Sequence, residues 1–511
     1  MNLFDKAIAY LNPQAGLRRL QLRKILAAYE AGTSTRLRKF SRDKSSGNTL
    51  IKAYAPSVRD QARNLDRNHD LSRGALNVLV NNIVGPSGIG VEPQPRRKTD
   101  GSIHEDLAKQ LAGLWKDWCR FPEVTQQLSW ASVQRLACRT WLRDGETFAQ
   151  ELLGAVATLD HRTKVPYSIE LLEPDMVPHD LSESGQIQGI VVNAWGQKIA
   201  YRVYKVHPGD LNVWPLTGNI LTGQLKTIPA ERMLHVKQSD RVGQLRGISI
   251  FASVITRLED IKDYEESERI AAKIAASMAA YIKKGTPDLY DGGKDADGNP
   301  IARSMRFQPG MIFDDLAPGE EIGTIDTNRP NTNLQSHRDG QLRAASAGFN
   351  ASYSSVSRNY NGTYSAQRQE LVEQWVHYQA MTDHFISQFN QPVWERFVVM
   401  ARMAGLLSAK WLAECEADSI DDALYIGQTM PWIDPQKEIA SYAEAEANTY
   451  ISGPEIIRKM GRNPQSTLDQ QAKWVAQKKA QGIEQAAPKP TASNQPADPN
   501  QPQQTNQGAT A

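Results

Sequence analysis

From Ile248 to Lys283 the chain keeps a helical apolar period: Ile250, Val254, Leu258, Ile261, Ile270, Ile274 and Met278 fall on the same spacing, and Gly285 and Pro287 end the run. A helix of that length reaches roughly 54 Å at about 1.5 Å per residue. A second helical stretch follows from Leu334 to Ala347, opened by Pro330 and Asn331 and stopped by Gly348. The residues between them, 284–326, are rich in Gly, Pro and Asp, with short strands expected at Ser304–Phe307 and Met311–Phe313. Two rods flanking a compact tip are the frame that any fold of this chain has to accommodate.

The other segments are assigned by the same signals. Pro56 and Ser57 are expected to open a helix, with Ser57 as its N-cap and Gly85-Pro86 as its stop. Further helices are expected at about 104–120 and 129–143. From Glu146 the pattern turns to short strands, Thr147–Leu153, Tyr167–Leu172, Ile187–Asn193, Lys198–Tyr204 and Leu234–Val236, with a hairpin turn at Ala194-Trp195-Gly196. A Ser/Asn/Tyr loop occupies 349–364. A long helix runs from Ser365, breaks near Pro392 and resumes to Gly405, and three more helices are expected at about 435–449, 454–460 and 466–480. Residues 481–511 are rich in Gln, Pro, Ala and Asn and are expected to be disordered. The fold class is therefore α+β, mainly helical, with an antiparallel sheet.

Composition removes several function classes. The 511 residues carry a formal net charge of +2, which gives no global basic field. The N-terminal segment is locally basic, with Arg18, Arg19, Arg23, Lys24, Arg36, Arg38, Lys39, Arg42 and Lys44, and is read either as a solvated arm or as a contact for phosphates or an acidic partner. The three cysteines, Cys119, Cys138 and Cys415, form no CxxC pair and point to buried packing in a reducing compartment. Neither a signal peptide nor a membrane span is expected. The chain shows no GxxxxGK[ST], GxSxG or HExxH motif. Asp291, Asp295 and Asp297 lack the glycine and glutamate of a calcium loop and read as a hydrated turn. Gly85 to Gly90 follows a helix rather than a strand, the inverse of a dinucleotide site. The chain is read as a non-enzyme with no cofactor and no metal.

Two features admit a functional reading beside a plain one. The acids Asp260, Asp263, Glu265, Glu266 and Glu268 are either a solvated helix face or the wall of a channel that repels a DNA backbone, where a basic wall would grip it. Tyr353, Arg358, Asn359, Tyr360 and Tyr364 are either ordinary surface or transient contacts to duplex DNA without sequence readout.

Several segments, in this order, resemble the lambda-type phage portal family: RDQARNLDRNHDLSRGALNVLVNNIVGPSGI (59–89), IELLEPDMV (169–177), IQGIVVNAWGQKIAYRVY (187–204) and IPAERMLHVKQSDRVGQLRGISIFASVI (228–255). The last is the most telling, through His235, Arg241, Gly243, Gln244, Arg246, Gly247 and Ser249. FQPGMIFDDLAPGEEI (307–322), YSAQRQELVEQW (364–375) and the stretch 431–461 also fit, so the resemblance covers most of 55–465. Where the family has an Asn-Tyr-Ser-Ser run, this chain has Thr363-Tyr364-Ser365-Ala366.

The resemblance implies a basic N-terminal arm (1–55), an α+β wing (56–247), a stem helix (248–283), a clip (284–329), a second stem helix (330–348) and a tunnel loop (349–364). A long helix with wing and crown (365–480) and a tail (481–511) complete it. It further implies a homo-oligomeric ring, dodecameric in the capsid, at one vertex of a virion assembled in the host bacterial cytoplasm. Expected partners are double-stranded DNA, the terminase large subunit, major capsid and scaffolding proteins, and head-completion proteins, with no membrane. A different head–tail adaptor ring, or a DNA-processing enzyme with a clustered carboxylate or His site, are the alternatives.

Overall fold

The computed structural model describes residues 44–183, 185–210, 225–276, 280–284, 320–324, 333–430 and 435–482, with 14 and 297 besides. The basic arm up to residue 43, most of the expected clip with its two strands, the three aspartates' loop apart from Asp297, and the tail from 483 lie outside the described residues.

The first helix, α1 (Gly47–Asn68), is capped by Ser46, whose side chain accepts from the Thr49 amide. The expected start at Pro56 with Ser57 as cap is thus corrected: Pro56 lies inside the helix, and the Ser57 hydroxyl accepts from the Gln61 side chain. The reason is packing. Ile51, Ala55, Ala62 and Leu65 form one buried stripe that continues across Pro56, and its burial outweighs the one backbone bond the proline removes. His69, in extended conformation, separates α1 from α2 (Asp70–Ile83). Gly85, at φ +78°, then turns the chain; its amide and that of Val84 both donate to the Val80 carbonyl.

In chain order there follow β1 (Gly90–Pro93), α3 (Glu105–Trp118), α4 (Trp130–Asp144), β2 (Glu146–Leu153), β3 (Tyr167–Leu172), β4 (Gln186–Ile187), β5 (Ile190–Val192), β6 (Lys198–Tyr204), β7 (Leu225–Pro229) and β8 (Met233–Lys237). Then come α5 (Ile255–Ala276), β9 (Ala280–Lys284), β10 (Glu320–Thr324), α6 (Leu334–Phe349), α7 (Tyr353–Ser357), α8 (Tyr364–Phe385), α9 (Gln391–Met403), α10 (Ala409–Glu414), β11 (Ala423–Ile426), α11 (Pro435–Ala447), α12 (Gly453–Lys459) and α13 (Pro464–Ala480). The class is α+β and mainly helical, as expected.

The chain divides into two compact units. The first comprises residues up to His69, Thr140–Phe148 and Leu172–Tyr264. Its β4-β5-β6-β7 meander is antiparallel throughout, with Ile190 opposite Tyr201 and Tyr201 opposite Ile228. Those three residues join Phe148, Leu172, Val177, Val203, Met233 and Leu245 in the core. The hairpin turn expected at Ala194-Trp195-Gly196 is found between β5 and β6. The single strand expected over 187–193 is instead two, because Gln188 (φ +52°) and Gly189 (φ +78°) make a second tight turn. Two successive positive φ angles match the right-handed twist of the flanking strands.

The second unit is built on aromatic rings. Trp115 stacks on Trp118 with centroids 4.8 Å apart, Trp118 stacks on Tyr167 at 5.2 Å, and Trp394 and Phe397 meet Trp115 edge-on. The indole N–H of Trp118 donates to the Tyr167 carbonyl and that of Trp394 to the Asp421 carbonyl, which makes both tryptophans tolerable in the core. In the same unit β1 pairs antiparallel with β11, Gly90 opposite Ile426.

Helix limits account for the other differences. The rod expected over 248–283 is shorter: Ser249 caps a 3-10 turn at Ile250–Ser253, α5 covers 22 residues (about 33 Å at 1.5 Å per residue), and the chain is a strand by Ala280. Phe251, fully buried, fixes the 3-10 turn apart from the helix. β9 pairs antiparallel with β10, Ala280 opposite Thr324. At the other rod Gly348 is not the stop. α6 runs on to the buried Phe349, and Asn350 takes the left-handed position (φ +53°), which Asn tolerates better than other residues with a side chain. Nor does Pro392 break the long helix. A π turn at Ile386–Asn390 leads straight into α9 with Pro392 in its first turn, where the missing N–H costs least.

Candidate functional site

The motif residues 235–249 assemble in the first unit around one buried ion pair. Arg246 is 0 % exposed, and its guanidinium meets Glu146 Oε1 at 2.7 Å. It also donates to the carbonyls of Gln188 (2.8 Å), Val177 (3.2 Å) and Pro174 (3.2 Å). Glu146 Oε2 accepts from the Gly247 amide (3.0 Å) and from His235 Nε2 (2.9 Å). Burial alone would raise the Glu146 carboxyl pKa, but Arg246 and His235 hold it well below the ordinary range. His235 is pushed down to about 3, first by burial and then by Lys198. It is therefore neutral, with Nε2–H donated to Glu146 and Nδ1 accepting from Lys198 Nζ at 2.9 Å. Lys198 itself is lowered to about 8 by burial and by Lys237.

Around that pair the backbone packs too closely for side chains. A Cβ on Gly145 (φ +94°) would overlap Ile248, and one on Gly247 would overlap the Gly145 carbonyl. The Gln244 side chain pins the preceding turn, its Oε1 accepting from the amides of Asp240 (3.1 Å) and Arg241 (3.2 Å) and its Nε2 donating to the Arg246 carbonyl (2.9 Å). From the start of α1, Asn48 donates to the Gly243 carbonyl and accepts from the Leu245 amide, both at 2.9 Å. The motif is thus a brace. It joins β2, β8, the Pro174–Val177 turn and the β4–β5 turn through charge-assisted hydrogen bonds. Its polar groups are spent on one another, and Arg246, Glu146 and His235 are all buried.

A second polar network sits beside it. Arg63 bridges Asp144 (2.8 Å), Asp175 (2.6 Å) and Glu173 (3.3 Å), and Arg59 also reaches Asp175 (3.2 Å). Glu173, Asp175 and His207 bring ligand atoms within 4.8 Å of one another. The guanidinium groups of Arg59 and Arg63 already pair with those carboxylates, so the trio sits inside an ion-pair network.

In the second unit the 349–364 segment is more ordered than the expected loop. Ser352 caps the single-turn helix α7 and Arg358 ends it at φ +57°. Glu370 of α8 holds this turn from beside: it accepts from Ser352 Oγ (2.7 Å), the Ser354 amide (3.0 Å) and Ser354 Oγ (2.5 Å). Its pKa lies below the usual value; burial opposes that shift and the serine donors cause it. Gln374 donates to the Asn350 carbonyl and Gln367 to the Tyr360 carbonyl. The expected contact residues separate accordingly. Arg358, Tyr360 and Tyr364 are exposed and Asn359 is half-buried, whereas Tyr353 is half-buried under the Arg343 guanidinium with its hydroxyl enclosed. Tyr353 packs the turn and is not an open contact.

The acids divide in the same way. Asp260, Asp263 and Glu266 are exposed along α5, while Glu265 and Glu268 are half-buried and Glu265 is paired with Arg338 of α6. Missing from the sequence reading were Glu146, Glu370 and Lys198. Glu146 directly follows Gly145 at a helix-to-strand junction, and a carboxylate heading a strand otherwise buried at its start was the available signal.

The family model described as "Phage portal protein, lambda family" matches residues 33–381. The chain is 22 % identical over 439 residues to the probable portal protein of Halomonas phage phiHAP-1, covering 84 % of this chain and 81 % of that protein. It is also 22 % identical over 464 residues to portal protein B of Escherichia phage lambda, covering 84 % and 85 %. Among solved structures, a chain from the virion of a native gene transfer agent particle aligns with a TM-score of 0.39 and 12 % identity, covering 82 % of this chain and 99 % of that one.

Proposed function

Because the chain belongs to the lambda family of phage portal proteins, we propose that copies of it close into a ring at one vertex of the capsid, through which double-stranded DNA enters on packaging and leaves on ejection. The observation that carries the reading is the family match over 33–381, which takes in the brace, both α5 and α6, and the turn held by Glu370. The role is structural: the ring guides and retains DNA, and the energy for packaging comes from a terminase motor docked to it. Major capsid, scaffolding and head-completion proteins are its other partners.

Within that ring α5 and α6 serve as the two stem helices, the segment between them as the clip, and 349–364 as the tunnel loop. Exposed Asp260, Asp263 and Glu266 suit a wall that DNA slides past, since carboxylates repel phosphates and do not hold them. Arg358 and Tyr360, exposed at the end of α7, suit brief backbone contacts.

Electron microscopy of the purified protein tests the proposal. A hollow ring with a bore wide enough for duplex DNA is expected. A closed monomeric particle with nuclease or ATPase turnover would end it.

A further inference from the structure

Asn361 is the only asparagine of the chain that precedes a glycine. The fold leaves that pair open. Asn361 and Gly362 are both exposed. Among the described residues the Asn361 side chain makes no hydrogen bond, and only its backbone amide is engaged, donating to Asn359 Oδ1 at 3.1 Å. The carboxamide is therefore free to turn toward the next backbone nitrogen, and Gly362 has no Cβ to crowd it. Even a Cβ built there would meet nothing closer than the Gln367 side chain at 3.5 Å. The other asparagines of the 349–364 segment lack this combination. Asn359 is half-buried, with its Oδ1 committed to the Asn361 amide and Tyr360 after it. Asn350 ends α6 in the left-handed position and is followed by the buried Ala351.

One bond opposes a reaction between the two residues. The Gly362 amide donates to the Tyr360 carbonyl at 3.0 Å. That carbonyl also accepts from the Gln367 side chain, so it keeps a partner when the amide lets go. At an exposed turn water takes the place of what is lost, and the net cost of release is small.

We propose that Asn361 is a site of spontaneous deamidation, which converts its neutral side chain to a carboxylate. The Gly362 nitrogen gives up its proton to hydroxide and attacks Asn361 Cγ. The N–Cγ bond forms, the Cγ–Nδ2 bond breaks, and ammonia leaves. Water then opens the five-membered imide at either carbonyl, giving aspartate or isoaspartate. Water is the sole co-reactant, and nothing is oxidised or reduced. The new charge lies beside Tyr360 and close in sequence to Arg358, the two side chains assigned above to brief contacts with the DNA backbone. A carboxylate there repels phosphate and competes for the guanidinium. That consequence rests on the tunnel-loop reading, whereas the chemistry does not.

The test holds the purified full-length protein in mildly alkaline buffer and follows its peptides by mass spectrometry, scoring the one-dalton gain and isoaspartate at each asparagine. Asn361 is expected to react ahead of every other asparagine in the folded chain. Gly362→Ala, which fits because Gly362 is not at positive φ, should slow it at least ten-fold. If Asn361 stays intact over a period in which the urea-unfolded chain deamidates there, or if Gly362→Ala reacts as fast as wild type, the assignment is wrong. The second arm uses Asn361→Asp, which should assemble as wild type does and lose DNA packaging or retention several-fold. If Asn361 deamidates and Asn361→Asp packages normally, it is the tunnel-loop reading that falls and not the chemistry.

Discussion

Arg246 and Glu146 face each other at 2.7 Å with side chains 0 % and 1 % exposed, and each spends its remaining hydrogen-bonding capacity on backbone or on His235. Removing one partner of such a pair leaves a buried charge uncompensated, at a cost of about 3–5 kcal/mol. Arg246→Met should lower stability by that amount in urea unfolding. Pairing it with Glu146→Leu should recover only part, because the carbonyls of Pro174, Val177 and Gln188 and the Gly247 amide remain without partners. Full recovery in the double variant would show that the backbone contacts contribute little.

Acid should weaken this unit from near neutrality downward. His235 (about 3) and His179 (about 4) are both lowered, first by burial, so the unfolded chain binds protons that the fold excludes between the ordinary His range near 6.5 and those values. Glu146, held below its usual pKa, acts in the same sense below about 4.5. The stability from all three groups is present at pH 7 and is lost as the pH falls through that window. Urea midpoints measured from pH 7.5 to 4.5 should decline, and His235→Gln should flatten the decline. An unchanged slope in that variant would remove His235 from the account.

Two glycines of the same motif should respond differently. Gly247→Ala drives a methyl into the Gly145 carbonyl and should prevent accumulation of folded protein. Gly243→Ala meets nothing within 4 Å and carries only the strain of φ +78°, roughly 1–2 kcal/mol. Soluble yield and melting temperature distinguish the two. Equal behaviour would contradict the close approach at Gly247.

Glu370→Gln should loosen the 352–358 turn. The amide keeps one acceptor oxygen where the carboxylate used both. Hydrogen exchange in residues 352–358 should accelerate several-fold while α8 and ring assembly are unchanged. Unaltered exchange would show that Gln374 and the Ser352 cap suffice.

Arg358→Ala and Tyr360→Ala should leave rings intact and impair DNA packaging or retention in a complementation assay, because both side chains are exposed and bear on the turn's packing little. Tyr353→Ala should instead loosen the turn itself. Variants of Arg358 and Tyr360 that package normally would assign the DNA contacts elsewhere.

How far the sequence could be read depends on the range of each signal. Period-2 patterns and turn residues placed β3 at its observed limits and the β5–β6 hairpin at Trp195, because both are local. The α1 start was missed because the stripe through Ile51 and Ala55 needs the rest of the unit to bury it, and a proline beside a serine imitates a helix start. The Gln188-Gly189 turn was missed because glutamine seldom takes positive φ and its tolerance there comes from packing. The motif glycines were recognised as markers, but their role as a crossing point with Gly145 depends on a contact across about a hundred positions that no spacing announces. Glu370 was invisible for the same reason: one glutamate among many, distinguished only by the serines that fold back onto it.

The pairing of Gly90–Pro93 with Ala423–Ile426 has a temporal side. At roughly 5–20 residues per second on the ribosome, the first of these strands waits on the order of tens of seconds before its partner is synthesised. Until then its backbone groups are open to any other extended segment, including the same strand of a chain on a neighbouring ribosome. Brevity is the protection: with four residues, and a proline as the last of them, the waiting strand offers a stray partner too few hydrogen bonds to compete with the late arrival.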